Sequence, residues 1–319
     1  MKITVIDEDN INSGDISWEP FARLGELTLF NSLSNPAAPP SLKGTEALIT
    51  VGTELSGEFL KKVPGLRYLG ILSTGYDFVD VATAGELGMT VTSVPSYGTA
   101  SVAQYTFALI LELCHQVGSH HAAVMDGRWT RSGRFSLWLQ SNQELDGKTL
   151  GIVGFGRIGR NVARLGQAFG LKIVAHDSFI EPGGIVDGCP CLSLDEVLSK
   201  ADILTLHCPL TKDNRGFINR ETIAKMKPGA RLINAARGGL INDNDLAVAL
   251  AEGRLAAAAI DVTDPEPIGP DNPLLKAPNI IITPHIAWAT VEARRRIVQM
   301  GADNLSAFID GHPVNIINA

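Results

Sequence analysis

Three ionisable residues in the last third of the chain have side chains suited to proton and hydride chemistry. Arg237, Glu266 and His285 each follow an apolar run typical of a buried parallel strand. Because the carboxyl ends of parallel strands meet at one edge of a sheet, we expect the three side chains to converge there. A guanidinium matches a carboxylate, an imidazole can donate a proton to a carbonyl oxygen, and a carboxylate bonded to the ring favours the imidazolium. The set suits hydride transfer to a 2-keto acid, although each residue alone could equally be a cap, a turn residue or a polar strand end.

A glycine turn lies upstream of these residues. Gly154, Gly156 and Gly159 form a G-x-G-x-x-G, with Arg157 and Ile158 between the last two glycines. The turn follows an apolar run and opens a helical pattern, which is the order expected of a dinucleotide site. The first glycine makes the tight turn, the second admits a pyrophosphate and the third lets helix and strand pack closely. The N–H groups at the start of the helix can bind the phosphates.

An acidic residue follows the next predicted strand and indicates which dinucleotide binds. Asp177 comes just after the apolar run Leu171–Ala175. Its carboxylate can accept hydrogen bonds from both ribose hydroxyls of NAD and would repel a 2′-phosphate. Ser178 and Phe179 supply no arginine to accommodate that phosphate. The sequence therefore predicts NAD as the cofactor rather than NADP.

The elements that would position these groups alternate between strands and helices along the whole chain. Such alternation predicts an α/β fold with parallel sheets and helices on their faces. Asp243 is expected to cap its helix, and the segment Asn35–Pro40 predicts a surface loop. Strands are predicted at Met1–Asp7, Ala47–Val51, Tyr68–Leu72, Thr90–Val94, Thr149–Val153, Leu171–Ala175, Ile203–Cys208, Arg231–Ala235, Ala257–Val262 and Ile280–Thr283. Helices are predicted at Ser56–Val63, Val79–Leu87, Ser101–Val117, Arg157–Phe169, Leu194–Lys200, Arg220–Lys227, Asp243–Glu252 and Thr290–Ile309.

Two segments in the middle of the chain suggest contacts beyond an ordinary core. The predicted helix Ser101–Val117 is apolar around most of its circumference, so it must be buried either in the core or against a second subunit. The segment Met125–Trp138 has no clean period and predicts a protruding loop. Its enrichment in tryptophan and arginine favours contact with another surface.

Composition narrows the class of protein. A net charge of −7 gives no reason to expect nucleic acid or an anionic membrane as a partner. No apolar run reaches the ~18 residues that span a bilayer, and the N-terminus is typical of a strand rather than a signal peptide. We therefore expect a cytoplasmic protein. Cys114 and Cys208 are expected to be buried thiols, and the pair Cys189 and Cys191 lacks a second pair at zinc spacing, so no metal site is expected.

Over essentially its whole length the chain resembles the D-isomer-specific 2-hydroxyacid dehydrogenases. The motifs that carry the resemblance are Gly151–Gly159, Leu206–Leu210, Ile233–Gly239, Asp261–Pro267 and Pro284–Ala287. The resemblance implies that Arg237, Glu266 and His285 are the catalytic triad. It also implies that a loop formed by Ser73, Thr74, Gly75 and Tyr76 holds the substrate carboxylate through its backbone N–H groups, and that the cofactor is further bound by His207, Cys208, Pro209, Ala235 and Asp261.

The family's fold implies a domain arrangement for this chain. Two Rossmann-like, flavodoxin-like parallel-sheet domains are expected, with a cleft between them. Residues 1–99 and 288–319 would form a discontinuous substrate domain, and residues 100–287 would form an inserted NAD-binding Rossmann domain.

Within the family the likeness is greatest to glycerate dehydrogenases, also called hydroxypyruvate reductases. It is carried by Ser73–Asp80, Val94–Gln104, Asp126–Trp129 and His285–Trp288. Hydroxypyruvate and D-glycerate are then the expected substrates, with glyoxylate as another. The resemblance implies a homodimer in which Trp138 reaches the active site of the neighbouring subunit. The alternatives are a D-lactate or phosphoglycerate type of dehydrogenase, or a non-catalytic NAD-sensing module of the same fold.

Overall fold

The computed structural model describes residues 1–31 and 42–318, and it divides into two compact units. Unit 1 comprises Met1–Gly98 and Trp288–Ala319, and unit 2 comprises Thr99–Ala287. The loop predicted at Asn35–Pro40 lies outside the described residues.

Unit 1 is built on a parallel sheet. Its first elements in chain order are β1 (Lys2–Val5), α1 (Glu19–Ala22), β2 (Glu26–Leu29), β3 (Ala47–Thr50), α2 (Gly57–Leu60), β4 (Tyr68–Ile71), α3 (Val81–Glu86) and β5 (Thr90–Ser93). Within the described residues the strands lie in the order β2-β1-β3-β4-β5, and every neighbouring pair is parallel. The edge strand β2 was not predicted, because its mostly exposed residues carry no clear pattern of burial.

Helices α2 and α3 are shorter than predicted, and a capping side chain fixes where each of them begins. Ser56 accepts from the backbone N–H of Phe59, so α2 begins at residue 57. Asp80 accepts from the backbone N–H of Thr83, so α3 begins at residue 81. A capping side chain satisfies an N–H group that has no partner within the helix, which fixes where the helix starts.

Unit 2 begins with three helices and continues as a doubly wound sheet. Its elements in chain order are α4 (Thr99–His115), α5 (Val117–Met125), α6 (Arg128–Ser132), β6 (Thr149–Val153), α7 (Arg157–Ala168), β7 (Lys172–His176), β8 (Ile185–Val186), β9 (Cys189–Pro190), α8 (Leu194–Lys200), β10 (Ile203–Leu206), α9 (Arg220–Lys225), β11 (Ala230–Asn234), α10 (Asp243–Ala251), β12 (Leu255–Ile260) and β13 (Ile280–Ile282). The main sheet has the order β13-β12-β11-β10-β6-β7, and its pairs are parallel. The parallel sheets of the two units confirm the predicted α/β fold class.

The strand order of unit 2 reverses between β6 and β10. Chain order runs outward from β6 to β7 on one side and from β10 to β13 on the other. Helices α4 and α7 pack on one face of this sheet, and α8, α9 and α10 pack on the other. Open α/β sheets bind ligands at the carboxyl ends of strands where the order reverses. The turns after β6 and β10 therefore lie where a ligand is expected.

Two predictions for unit 2 are wrong in detail. The segment Met125–Trp138 is not a continuous loop, because Arg128–Ser132 forms α6, with Gly127 and Gly133 in left-handed conformations at its ends. Asp243 does not cap α10. The cap is Asn242, whose side chain accepts from the backbone N–H three residues later, whereas the Asp243 carboxylate accepts from Asn272.

The chain returns to unit 1 in its last helix, α11 (Val291–Ile309). Its buried face, which includes Ile297, Val298 and Leu305, packs on the core of the unit 1 sheet. At Gly301 a Cβ atom would lie 2.3 Å from the Leu72 side chain, so a larger residue there would displace Leu72 from its packing.

Candidate active site

The glycine turn after β6 has a different physical constraint at each glycine. Gly154 has a left-handed φ of 94°, and a Cβ there would lie 2.3 Å from the backbone nitrogen of Cys208. A Cβ on Gly159 would lie 2.2 Å from the Gly154 carbonyl oxygen. A Cβ on Gly156 would meet no atom within 4 Å. Two glycines thus allow close packing, and the third leaves open space at the start of α7.

That open space fits the diphosphate of a dinucleotide. Gly156 is the N-cap of α7 and offers no capping side chain. The first N–H groups of a helix have no partner within it and carry partial positive charge, so they attract phosphate. Arg157 and Ile158 are the first residues of this turn of helix. These residues fit the phosphates of NAD.

Asp177 lies beside the glycine turn, immediately after β7. Its carboxylate accepts from the backbone N–H of Phe155, within the turn, at 2.7 Å and from that of Phe179 at 3.0 Å. A carboxylate has about four acceptor positions. Two backbone bonds therefore orient Asp177 and leave capacity for the hydroxyls of a ribose.

The segment after β10 contains two half-buried groups with shifted pKa values. Desolvation of the His207 ring lowers its pKa to about 3, and its Nε2 lies 2.9 Å from the Thr205 hydroxyl. Burial also raises the pKa of the Cys208 thiol to about 11. Both groups are therefore neutral at physiological pH, and the Cys208 backbone packs against the glycine turn. Pro209 follows in the same segment, and its carbonyl accepts from Asn214.

Arg237 lies in a loop that follows β11 and is fixed by its own backbone. Asn234, the last residue of β11, donates to the Arg237 carbonyl at 2.8 Å and accepts from the N–H of Ala236 at 3.0 Å. Ala235 lies between these bonded positions. The next residue, Gly238, packs so closely that a Cβ would lie 2.1 Å from the Thr263 carbonyl carbon. The loop after β11 thus contacts the loop after β12 directly.

Glu266 and His285 form the pair proposed from the sequence. Nδ1 of His285 lies 2.7 Å from Oε2 of Glu266, and the backbone N–H of Thr263 donates to Oε1 at 3.0 Å. Burial acts to raise the pKa of Glu266. The hydrogen bond and charge of His285, the Thr263 N–H and the charge of Arg237 outweigh it, so the pKa is lowered. The structure therefore brings Arg237, Glu266 and His285 within electrostatic reach of one another at the carboxyl edge of the unit 2 sheet.

His285 adopts a left-handed backbone conformation with φ of 55°, which costs of order 1–3 kcal/mol in a residue other than glycine. Its N–H donates to the Asp261 carbonyl at 2.7 Å. The buried Asp261 carboxylate accepts from the Thr283 hydroxyl at 2.6 Å and from the N–H groups of Ile286 and Ala287 at 3.0 and 2.7 Å. Asp261 therefore holds the His285 turn from both sides, a role that the sequence reasoning missed. An aspartate directly after an apolar strand was the available signal.

The loop Ser73–Tyr76 follows β4 in unit 1. Thr74 donates its hydroxyl to the Val94 carbonyl at 3.0 Å, and the hydroxyl of Ser73 donates to the carbonyl of Gly75. The N–H of Val94 donates to the Ser73 carbonyl at 3.1 Å. The hydroxyl groups thus fix the loop conformation, while the Tyr76 side chain is exposed.

Trp138 lies in the irregular segment after α6 of unit 2, and 69% of its surface is exposed. Other large apolar side chains of the neighbouring region are exposed as well, namely Val117, Val124, Met125, Trp129, Phe135 and Leu139.

Among residues 1–31 and 42–318, no helix is both long and apolar enough to cross a membrane. The four thiols are free.

Comparisons with known proteins show the family to which the chain belongs. The model of the D-isomer specific 2-hydroxyacid dehydrogenase NAD binding domain matches residues 107–287. The chain is 44% identical to a hydroxypyruvate reductase of Blautia hydrogenotrophica over 321 residues, covering 100% of both chains. It is 35% identical to a glycerate dehydrogenase of Methylorubrum extorquens over 87% of each chain.

A solved structure extends the likeness to the whole fold. The D-lactate dehydrogenase of Aquifex aeolicus, solved with NAD and lactic acid, superposes with a TM-score of 0.84 at 29% identity over 99% of each chain. The predicted family and the predicted NAD cofactor are thus confirmed. The chain belongs to the D-isomer-specific 2-hydroxyacid dehydrogenases and is an NAD-dependent oxidoreductase of that family.

Proposed function

We propose that the protein reduces hydroxypyruvate to D-glycerate with NADH, and that it also reduces glyoxylate. The observation that carries the proposal is the His285–Glu266 hydrogen bond of 2.7 Å beside Arg237. The names of two full-length or nearly full-length relatives, a hydroxypyruvate reductase and a glycerate dehydrogenase, support this choice of substrate.

The proposed chemistry assigns one task to each residue. Bound NADH supplies a hydride to the carbonyl carbon of the keto acid. His285 donates its proton to the carbonyl oxygen and recovers it in the oxidative direction. Glu266 holds the ring in one orientation and favours its protonated form. Arg237 binds the substrate carboxylate with its planar fork.

We assign the remaining predicted residues to ligand binding on the same basis. The loop of Ser73, Thr74, Gly75 and Tyr76 would hold the substrate carboxylate through its backbone. Gly154, Gly156, Arg157, Ile158 and Gly159 would hold the diphosphate, Asp177 the ribose, and His207, Cys208, Pro209, Ala235 and Asp261 the rest of the dinucleotide. Residues 1–99 with 288–319 then act as the substrate domain and residues 100–287 as the NAD-binding domain.

We also propose that the protein is a cytoplasmic homodimer. The exposed apolar side chains around Trp138 and Phe135 support the dimer, because monomers seldom leave such a set in water. Trp138 would then contact the neighbouring subunit's substrate site. Sedimentation of the wild type and of Trp138→Ala, with the substrate ranking of each, tests both statements. An unchanged ranking would contradict the role of Trp138.

A substrate panel tests the proposed reaction. NADH oxidation is measured with hydroxypyruvate, glyoxylate, pyruvate and larger 2-keto acids. Hydroxypyruvate is expected to give the highest kcat/KM. If the protein binds NADH but turns over none of these acids, the reductase proposal fails and a non-catalytic NAD-binding role takes its place.

A further inference from the structure

An ion pair joins two loops at the edge of the unit 2 sheet. Nη1 of Arg215, in the segment after β10, donates to Oδ2 of Asp264, in the loop after β12. Asp264 lies two residues before Glu266. The side chains of Arg215 and Asp264 are 60% and 45% exposed. An exposed pair of this kind contributes little to stability, so its position beside the catalytic pair is its more informative property.

The ion pair lies where three loops meet. The N–H of Gly216 donates to the Gly239 carbonyl at 2.8 Å, which joins the loop after β10 to the loop after β11. A Cβ on Gly239 would lie 3.0 Å from Nη1 of Arg215 and 3.0 Å from Oδ2 of Asp264. The absence of a side chain at Gly239 therefore leaves room for the pair. Gly239, in the loop that carries Arg237, therefore lies directly against the ion pair.

Apart from the Glu266–His285 bond and the packing of Gly238 against Thr263, the loop that carries Glu266 has few restraints from other segments. Residues 264–267 are exposed, so core packing does not hold them. Within this loop the Thr263 hydroxyl donates to the Pro265 carbonyl at 2.8 Å, and the Thr263 N–H donates to Glu266 at 3.0 Å. These bonds are local. Arg215 reaches the loop from a different segment and connects it to the rest of the sheet edge.

We infer that Arg215 is a positioning residue, which fixes Asp264 so that Glu266 faces His285 while the neighbouring loop presents Arg237. The inference rests on the proposed roles of these three residues. A positioning role requires the charge and length of the side chain at residue 215, and this side chain does not contact the substrate. Displacement of a catalytic group by about 1 Å can cost a factor of ~10² in rate, so loss of the ion pair should affect turnover.

The test compares Arg215→Ala, Arg215→Lys, Asp264→Asn and the double variant Arg215→Ala/Asp264→Asn. We expect kcat for hydroxypyruvate to fall about 10-fold in Arg215→Ala, within the ~10² range for misplaced groups. The KM for NADH should stay within about 2-fold, and Arg215→Lys should restore part of the loss because it keeps the charge. The double variant should be no worse than either single variant, since both remove the same interaction.

A matched control separates positioning from general stability. Lys225 and Asp195 form an exposed ion pair between α9 and α8, with a distance of 2.7 Å. Lys225→Ala should leave kcat unchanged. Both this variant and Arg215→Ala should shift the melting temperature by less than about 3 °C. Three outcomes for Arg215→Ala would each overturn the inference. They are a wild-type kcat, a change in KM alone, and a fall in kcat that follows the melting temperature.

A measurement without turnover keeps the inference independent of the proposed reaction. The ¹⁵N chemical shift of Nδ1 in His285 reports its hydrogen bond to Glu266. We expect Arg215→Ala to move this shift toward that of a histidine without a carboxylate partner, and Arg215→Lys to move it less. An unchanged shift overturns the positioning role. If the wild type turns over no keto acid but the two Arg215 variants show the expected shifts, the proposed function alone is overturned.

Discussion

Units 1 and 2 each have a buried aspartate just after a strand. Each aspartate forms hydrogen bonds to a loop, and the two loops carry different side chains. Asp7 follows β1 and is 0% exposed, and Asp261 follows β12 and is 1% exposed. Each carboxylate binds the loop after the neighbouring parallel strand, β3 in unit 1 and β13 in unit 2. Burial raises the pKa of both groups against the opposing effect of their hydrogen bonds.

The difference lies in what the pinned loops carry. Asp7 accepts from the N–H groups of Val51, Gly52 and Thr53, three residues without an ionisable side chain. Asp261 holds the loop of His285. A buried carboxylate at a strand end therefore fixes a loop in either sheet, and chemistry depends on the side chains that the loop presents. The segment that Asp7 binds offers backbone groups and a hydroxyl, which suits binding, whereas the segment that Asp261 binds offers the imidazole of His285, which suits proton transfer.

The largest expected effect comes from removing the ionisable group of the unit 2 loop. His285→Asn should lower kcat by about 10²–10⁴-fold, the usual contribution of a general acid–base group. The exposed His312 of unit 1 provides the control, and His312→Asn should keep wild-type kcat. Steady-state reduction of hydroxypyruvate and thermal melting of both variants make the comparison. A His285→Asn enzyme within 10-fold of wild type would refute the proton-transfer role.

The next effect separates the two aspartates themselves. Asp261→Asn keeps the side-chain volume but leaves a buried donor facing an N–H group, at a cost of about 1–3 kcal/mol. Because the strained His285 turn depends on those bonds, we expect Asp261→Asn to lower kcat about 10- to 100-fold. Asp7→Asn should lower stability by a similar energy with a much smaller change in kcat. Equal loss of kcat in the two variants would show that the loops are not functionally different.

The sequence predicted the strands, the glycine turn and the strand-end residues because each depends on local pattern. Gly159 had to be a glycine for a contact made within a single strand–turn–helix unit, and Gly154 for its left-handed φ of 94°. Glu266 and His285 could be placed at one edge because parallel strands share a direction. The short strand β2 could not be predicted, since its residues are mostly exposed and its pairing depends on β1, many residues earlier in the chain.

Roles that depend on long-range hydrogen bonds could not be predicted. Asn242 rather than Asp243 caps α10, and the Asp243 carboxylate instead accepts from Asn272, 29 positions later in the chain. The role of Asp261 in holding the His285 turn requires knowing that β12 and β13 are adjacent. The Arg215–Asp264 ion pair joins residues 49 positions apart, and neither has a distinctive local pattern.

A third strand-end aspartate offers a smaller and more selective test. Asp177 follows β7, is only partly buried and binds two backbone N–H groups, so it retains acceptor capacity that Asp7 uses on its loop. Asp177→Ser should raise the KM for NADH about 10-fold, as expected when a charged hydrogen bond is lost. It should also improve the use of NADPH and change kcat little. If NADH and NADPH are both unaffected, Asp177 does not bind the ribose.

The smallest effect concerns a carboxylate of unit 1 whose pKa moves the opposite way to that of Asp7. A hydrogen bond from Arg294 is the main cause that lowers the pKa of Asp15 to about 2, and Nη1 and Nη2 of Arg294 each lie 2.6 Å from one of its oxygens. The lowered folded-state pKa means that this stabilisation is present above the ordinary value of 3.8 and is lost as pH falls toward about 2. Urea unfolding should therefore show Asp15→Asn less stable than wild type at pH 7, with the difference shrinking below pH 4. Glu19→Gln, which removes the exposed partner of Arg23, should show almost no difference at either pH. A difference for Asp15→Asn that stayed constant from pH 7 to pH 2 would mean that its ionised carboxylate is not what holds α11 to the start of unit 1.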